Sequence, residues 1–157
     1  MKIARVTLSD RATAGVYEDR SGPEIERVWA EHGGAAAEWL RVLIADDHAE
    51  IESTLRRLCD TERCDLVLTT GGTGPAPRDV TPEATRAVLE RELPGFGEIM
   101  RVQSFAKVPT AILSRATAGT RGRTLLINLP GNPRAIGERL PLLLPAIAEA
   151  LRHLRGE

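Results

Sequence analysis

Aromatic side chains are nearly missing from this chain: two Phe, two Trp and one Tyr stand among 157 residues. A core must therefore be built from Leu, Ile, Val and Ala, and the stacking platforms of a single-strand nucleic-acid binder are absent. An excess of positive charge is missing too, since 21 Lys and Arg face 22 Asp and Glu, a net charge of −1. That balance excludes the basic footprint of a nucleic-acid partner. No apolar run approaches the roughly 18 residues of a membrane span, so no membrane partner is expected. The strand-like pattern begins at Lys2 with no signal peptide before it, and a cytoplasmic location is the expectation. Only two cysteines occur, Cys59 and Cys64, at a spacing that fits neither a redox pair nor a zinc site. They read as buried thiols in a reducing compartment. His32, His48 and His153 are too scattered to form a metal box.

What is present is the make-up of an ordinary globular protein, 42% hydrophobic and 27% charged. The length suits one domain, residues 1–157, which buries enough surface to fold without staples. Residues 2–9 read as a strand. The segment Ser21-Gly22-Pro23-Glu24 offers a helix start with Ser as cap, and Gly33-Gly34 a stop. A second strand follows over residues 37–44. Either Asp46 or Asp47 can cap a helix that buries Ile51, Leu55 and Leu58.

Residues 65–70 form the short apolar run of a buried parallel strand. Helices are expected from Thr81-Pro82-Glu83 and over residues 94–106. Strands are expected over residues 109–114 and 123–128, with a turn around residues 119–122. The last helical region opens at Asn132-Pro133 and carries Ile136, Leu140, Leu143, Ile147, Leu151 and Leu154 on one face. Pro141 and Pro145 should kink or split it. Strands alternating with helices predict an α/β fold with a mostly parallel sheet covered on both sides.

Two Gly/Pro-rich segments, residues 69–79 and 129–133, follow expected strands and should share one edge of the sheet, where ligands bind in such folds. In Thr69-Thr70-Gly71-Gly72-Thr73-Gly74-Pro75, glycines admit positive φ and close backbone approach, and consecutive N–H groups can cradle an anion. A tight turn that binds nothing is the plainer alternative; the dense punctuation and the following Arg78-Asp79 argue against it. The loop lacks the Lys-Ser/Thr of a P-loop and the spacing of Gly-x-Gly-x-x-Gly. Asp46 and Asp79 are the carboxylates best placed to reach the same edge. Two carboxylates beside phosphates suit Mg²⁺; a helix cap is the plainer reading of Asp46 and, near Thr81, an open alternative for Asp79. In Leu129-Pro130-Gly131-Asn132-Pro133, capping explains Asn132 and Pro133 but not Pro130-Gly131. Ser9-Asp10-Arg11 and Ser114-Arg115 read, one at a time, as solvated loop groups.

Together these segments resemble the molybdenum-cofactor biosynthesis family that includes bacterial molybdopterin adenylyltransferase of the MogA/MoaB type and the G domains of gephyrin and its plant counterpart. The resemblance runs in order through residues 9–19, 69–74, 77–85, 92–97, 112–115 and 128–133. It implies a three-layer αβα fold that binds molybdopterin as a trimer. It also implies transfer of AMP from Mg·ATP to the terminal phosphate of the pterin, with release of pyrophosphate, and onward passage to a molybdenum insertase. Carried over, Asp46 and Asp79 become the catalytic and Mg²⁺-binding pair. Thr70, Gly71, Gly72, Thr73, Gly74 and Ser114 become pterin-side contacts. Asp10, Pro130, Gly131 and Asn132 become nucleotide-side contacts. Ala45 departs from the Pro often found before the first aspartate of the family. A non-catalytic pterin- or peptide-binding trimer of the same fold is the alternative, and a competence-damage-type relative a third; retention of both aspartates favours the enzyme.

Overall fold

The computed structural model describes residues 1–33 and 36–157. Its frame is a six-stranded sheet. The four strands β1 (Lys2–Leu8), β2 (Glu38–Ile44), β3 (Leu66–Thr70) and β6 (Thr124–Leu129) run parallel. The short strands β5 (Ala118–Arg121) and β4 (Arg91–Glu92) extend the edge in antiparallel fashion. Across the sheet the order is β2-β1-β3-β6-β5-β4.

Side-chain alternation along each strand divides the core in two, as the period of two requires. Ile3, Leu66, Leu68, Leu125 and Ile127 face one layer, made by α2 (Ser21–His32), α5 (Gly95–Phe105) and α6 (Pro133–Arg155). Ala4, Val6, Val67 and Leu126 face the other, made by α3 (His48–Arg56) and α4 (Thr81–Val88). The largest fully buried side chains are all Ile or Leu, the aliphatic core that the scarcity of aromatics demands. Trp29 meets Trp39 edge to face at 6.3 Å on the margin of one layer. The sheet is thus sandwiched between two helical layers, the expected three-layer arrangement. Cys59 and Cys64 are buried free thiols, and burial pushes them up to about 12 and about 11.

Local expectations fare unevenly. Asp47, not Asp46, caps α3, accepting from the Glu50 amide at 2.8 Å. Ser21 is inside α2 rather than its cap; Asp19 serves that end, accepting from the Gly22 amide and the Ser21 hydroxyl. Gly33 closes α2, and Gly34 lies outside the described residues. Residues 109–114 form a 3-10 helix, Pro109–Leu113, not a strand. Its Ile112 and Leu113 face outward. The expected turn at residues 119–122 falls later, at Gly122 (φ 55°), because Ala118–Arg121 is itself a strand. Arg91 passes so close to Gly119 that a Cβ would strike its carbonyl, which explains glycine at that position of the strand. The last helix is continuous for 23 residues through Pro141 and Pro145. Neither proline sits in the buried face, so water can take the carbonyls they leave unpaired.

Candidate functional site

Strand β1 is flanked by β2 on one side and β3 on the other, so chain progression reverses at the β1/β3 boundary. Such a switch point opens a crevice at the carboxyl ends of the strands. Here it is a cavity of about 690 Å³, lined by Ser9, Asp10 and Asp46, by Thr70, Gly71 and Gly72, and by Gly131. Residues 69–79 and 129–133 do share this edge. Thr70 pairs in register with Leu129, and its hydroxyl donates to the Pro130 carbonyl at 2.7 Å.

The glycines have specific reasons to be there. Gly71 (φ 98°) lies against the Leu8 carbonyl, where a side chain has no room. Gly72 (φ 65°) sits under the Thr81 hydroxyl, and a Cβ there would also come within 3.0 Å of Asp46 Oδ1. Thr81 fixes the loop by donating its hydroxyl to the Gly71 carbonyl at 3.0 Å and its amide to the Gly72 carbonyl at 3.2 Å. Among the described residues, the amides of Gly72, Thr73 and Gly74 donate to no protein acceptor. Consecutive unspent N–H groups in a glycine turn form an anion cradle. Beneath it, buried Asn128 donates to the hydroxyls of Thr69 and Thr85 at 2.9 Å each and accepts from the Thr117 amide at 3.2 Å. One amide side chain thereby ties β6 to β3, to α4 and to the segment before β5.

Asp10 and Asp46 face each other across the β1 and β2 ends through reciprocal bonds. Each carboxylate accepts from the other residue's amide at 3.0 Å. Asp10 opens a one-turn helix, α1 in chain order (Asp10–Thr13), capped by Ser9, so it is not a free loop group. Arg78 grips it with two bonds of 2.9 Å, and that guanidinium, helped by the Asp46 amide, holds the Asp10 carboxyl below its usual range. Asp46 goes the other way. Burial raises its pKa, and the charges of Asp10 and Asp79 push in the same direction against the Asp10 amide and Arg78.

Asp46 Oδ1 is buried and, among the described residues, has no hydrogen-bond partner. An orphaned carboxylate oxygen facing a second acid fits a cation. Among the described residues no three His, Cys, Asp or Glu gather to hold an ion alone. A metal here would therefore be shared by Asp46 and Asp79 with substrate phosphates and water, the usual manner of Mg²⁺. Asp79 follows the glycine loop, its Oδ2 accepting from the Ala76 amide at 3.1 Å and standing 2.8 Å from where a Gly74 Cβ would be.

Not every expected site residue shares the switch-point cavity. Ser114, Pro130 and Asn132 line a second one of about 460 Å³, between α5, the 3-10 helix and α6. Thr73, Gly74 and Asp79 line neither. The carried-over grouping, which set Ser114 beside Thr70 and Asp10 beside Asn132, thus cuts across the geometry. Asn132 also caps α6, accepting from the Arg134 amide at 2.9 Å. The sequence reading missed Asp19 and Tyr17 in the first cavity and the cationic wall of the second, Arg101, Lys107, Arg134 and Arg139. Asp19 and Tyr17 fell within a matching stretch; the arginines of α5 and α6 carried no local signal among so many solvated ones.

An open, mostly parallel α/β sheet with a glycine anion cradle and paired aspartates at its switch point defines a phosphate-handling α/β protein. The family model described as "Probable molybdopterin binding domain" matches residues 4–149. The molybdopterin adenylyltransferase of Helicobacter pylori strain J99 is 52% identical over 98% of this chain and 88% of its own. That of Escherichia coli K12 is 51% identical over 98% and 78%. Among solved structures, the molybdopterin biosynthesis enzyme MoaB of Thermus thermophilus superposes with a TM-score of 0.90 at 43% identity, covering 99% of this chain and 97% of that one. The chain belongs to this molybdopterin-binding family, together with the molybdopterin adenylyltransferases.

Proposed function

We propose that residues 1–157 act as one molybdopterin adenylyltransferase domain, a nucleotidyltransferase of molybdenum-cofactor biosynthesis that takes AMP from ATP. Adenylyltransferases of 51–52% identity over nearly the whole chain support the reading. The observation that carries it here is the cradle of unspent amides beside Asp46 and Asp79. A terminal pterin phosphate oxygen attacks the α-phosphorus of ATP. A new O–P bond forms, the bond to the β-phosphate oxygen breaks, and pyrophosphate departs with the electron pair.

The protein's part is positioning and charge. The amides of Gly72, Thr73 and Gly74 hold phosphate oxygens without adding charge repulsion. Each of the two cavities takes one substrate, and the cradle lies where their phosphates meet. The carboxylates of Asp46 and Asp79 stand beside Gly72 and Gly74 of the cradle. Asp46 and Asp79 would hold Mg²⁺, which would supply Lewis-acid neutralisation of the phosphate charge. The outward-facing apolar side chains of residues 99–113, among them Val102 at 67% exposure and Ile112 at 62%, support assembly into a trimer. No helix of the described residues is long and apolar enough to cross a membrane. A cytoplasmic location and onward transfer of the product to a molybdenum insertase belong to the same proposal.

Incubation of the protein with molybdopterin and Mg·ATP, followed by mass spectrometry, tests the reading. Adenylylated pterin and pyrophosphate are expected. Bound but unmodified pterin would establish the binding-domain alternative instead.

A further inference from the structure

We infer that Arg115 is the positioning residue for Asp79, acting through the two backbone carbonyls that frame the loop between them. The inference rests on the reading of Asp79 as a catalytic group. Arg115 follows the 3-10 helix and reaches the glycine loop, whereas Arg78 is committed to Asp10. Its Nε and Nη2 donate to the Gly74 carbonyl at 3.0 and 2.8 Å, and Nη2 also donates to the Asp79 carbonyl at 2.7 Å. Its Nη1 pairs with Glu83 on α4, and its own amide donates to the Thr73 carbonyl at 2.8 Å.

A guanidinium has five N–H donors in one plane. Four of the five bonds just described come from the guanidinium and all go to protein oxygens, which leaves Arg115 little to offer a substrate. What it does is pin residues 74 and 79 to one rigid fork. The loop between them is otherwise largely exposed: Arg78 reaches out of it to Asp10, and within it the Asp79 amide donates to the Ala76 carbonyl at 2.9 Å and the Ala76 amide to Asp79 Oδ2 at 3.1 Å. Without the fork, the last amide of the cradle and the carboxylate of Asp79 lose their common reference. Lysine cannot replace it, because a single ammonium does not reproduce a planar fork across two carbonyls.

The experiment combines Arg115→Ala, Arg115→Lys and Asp79→Asn with the double variant Arg115→Ala/Asp79→Asn. Single-turnover rates, substrate titrations and hydrogen exchange of residues 74–80 are measured on each. Arg115→Ala and Arg115→Lys should each lose about 10- to 100-fold in rate, the size usual for partners that orient a catalytic group. Substrate affinities should change by no more than about threefold, and exchange of residues 74–80 should rise at unchanged melting temperature. In the Asp79→Asn background, Arg115→Ala should cost less than about threefold more, because the two residues act as a unit. Guanidinium ion should restore part of the Arg115→Ala rate and none of the double variant's. Multiplicative losses, or a loss carried by substrate affinity, would overturn the inference. Should the wild-type protein transfer no AMP, the function proposed above fails by itself; exchange of residues 74–80 then decides, a rise in both Arg115 variants upholding the fork and no rise in either overturning it.

Discussion

Asp46 and Asp10 show how two carboxylates in mutual contact acquire opposite properties. Arg78 and an amide stabilise the charge on Asp10, whereas burial and two acidic neighbours work against the charge on Asp46. For Asp10 the folded pKa is depressed, so its ion pair adds stability above the ordinary carboxylate pKa. That contribution is lost as pH falls through the folded value. For Asp46 the folded pKa is raised, so its ionised form is a cost that acidification relieves; under the proposed role of that charge, turnover should fall as it is protonated. Carbon-detected NMR titration should place Asp46 above the ordinary aspartate value of 3.8. It should move down in Asp79→Asn, where one repelling charge is gone. A value at or below 3.8 in the wild type contradicts this account of the site.

Gly74 gives a second test at this scale. Its φ is not positive, so alanine fits the backbone there, unlike at Gly72, where a substitution strains φ and meets Thr81. The added methyl would press on Asp79 Oδ2. Gly74→Ala should keep the unfolding midpoint and lose roughly tenfold or more in rate, as expected when a catalytic group is displaced by about 1 Å. Thermal melting beside a rate measurement checks it; a normal rate means that Asp79 does not need its observed place.

Among elements, the buried parallel strands and amphipathic helices were legible because hydrophobic runs and periodicity announce them. Residues 66–70 and the stripe from Ile136 to Leu151 are examples. The misreadings share a cause: tertiary partners outweighed local pattern. Residues 109–113 are apolar enough for a strand but wind into a 3-10 helix, and Gly119 interrupts the strand pattern of residues 118–121 because the Arg91 carbonyl crowds it. The glycine loop and the paired aspartates could be read directly. Arg115 and Asn128 could not, since their value lies in bonds to distant backbone. Asn128→Ala deletes three buried bonds under the cradle and leaves the Thr117 amide without its side-chain acceptor. It should destabilise the protein by about 1–3 kcal/mol. Chemical denaturation measures this, and a change under about 0.5 kcal/mol, the range of a neutral surface substitution, would show that the network contributes little.

For the molecule as a whole, the apolar side chains left facing outward cluster on residues 99–113, beside the second cavity. Light scattering should report about three times the 17.1 kDa of one chain, and a mass of one chain would refute the trimer. Replacing Val102 and Ile112 by Glu should disperse it, because two buried charges at one interface have no partner to offset their desolvation.

Whether the molecule is an enzyme or only a binder turns on the aspartates. The most direct measurement is a single-turnover assay of Asp46→Asn and Asp79→Asn beside pterin titrations of the same variants. Asparagine keeps the shape and removes the charge. The account predicts a loss of roughly 10²-fold or more in AMP transfer by each variant, the size of one strong electrostatic contact. Pterin binding should be retained, because uncharged amides supply it. Near-normal transfer in both variants, or pterin binding lost in proteins that unfold like the wild type, would contradict it.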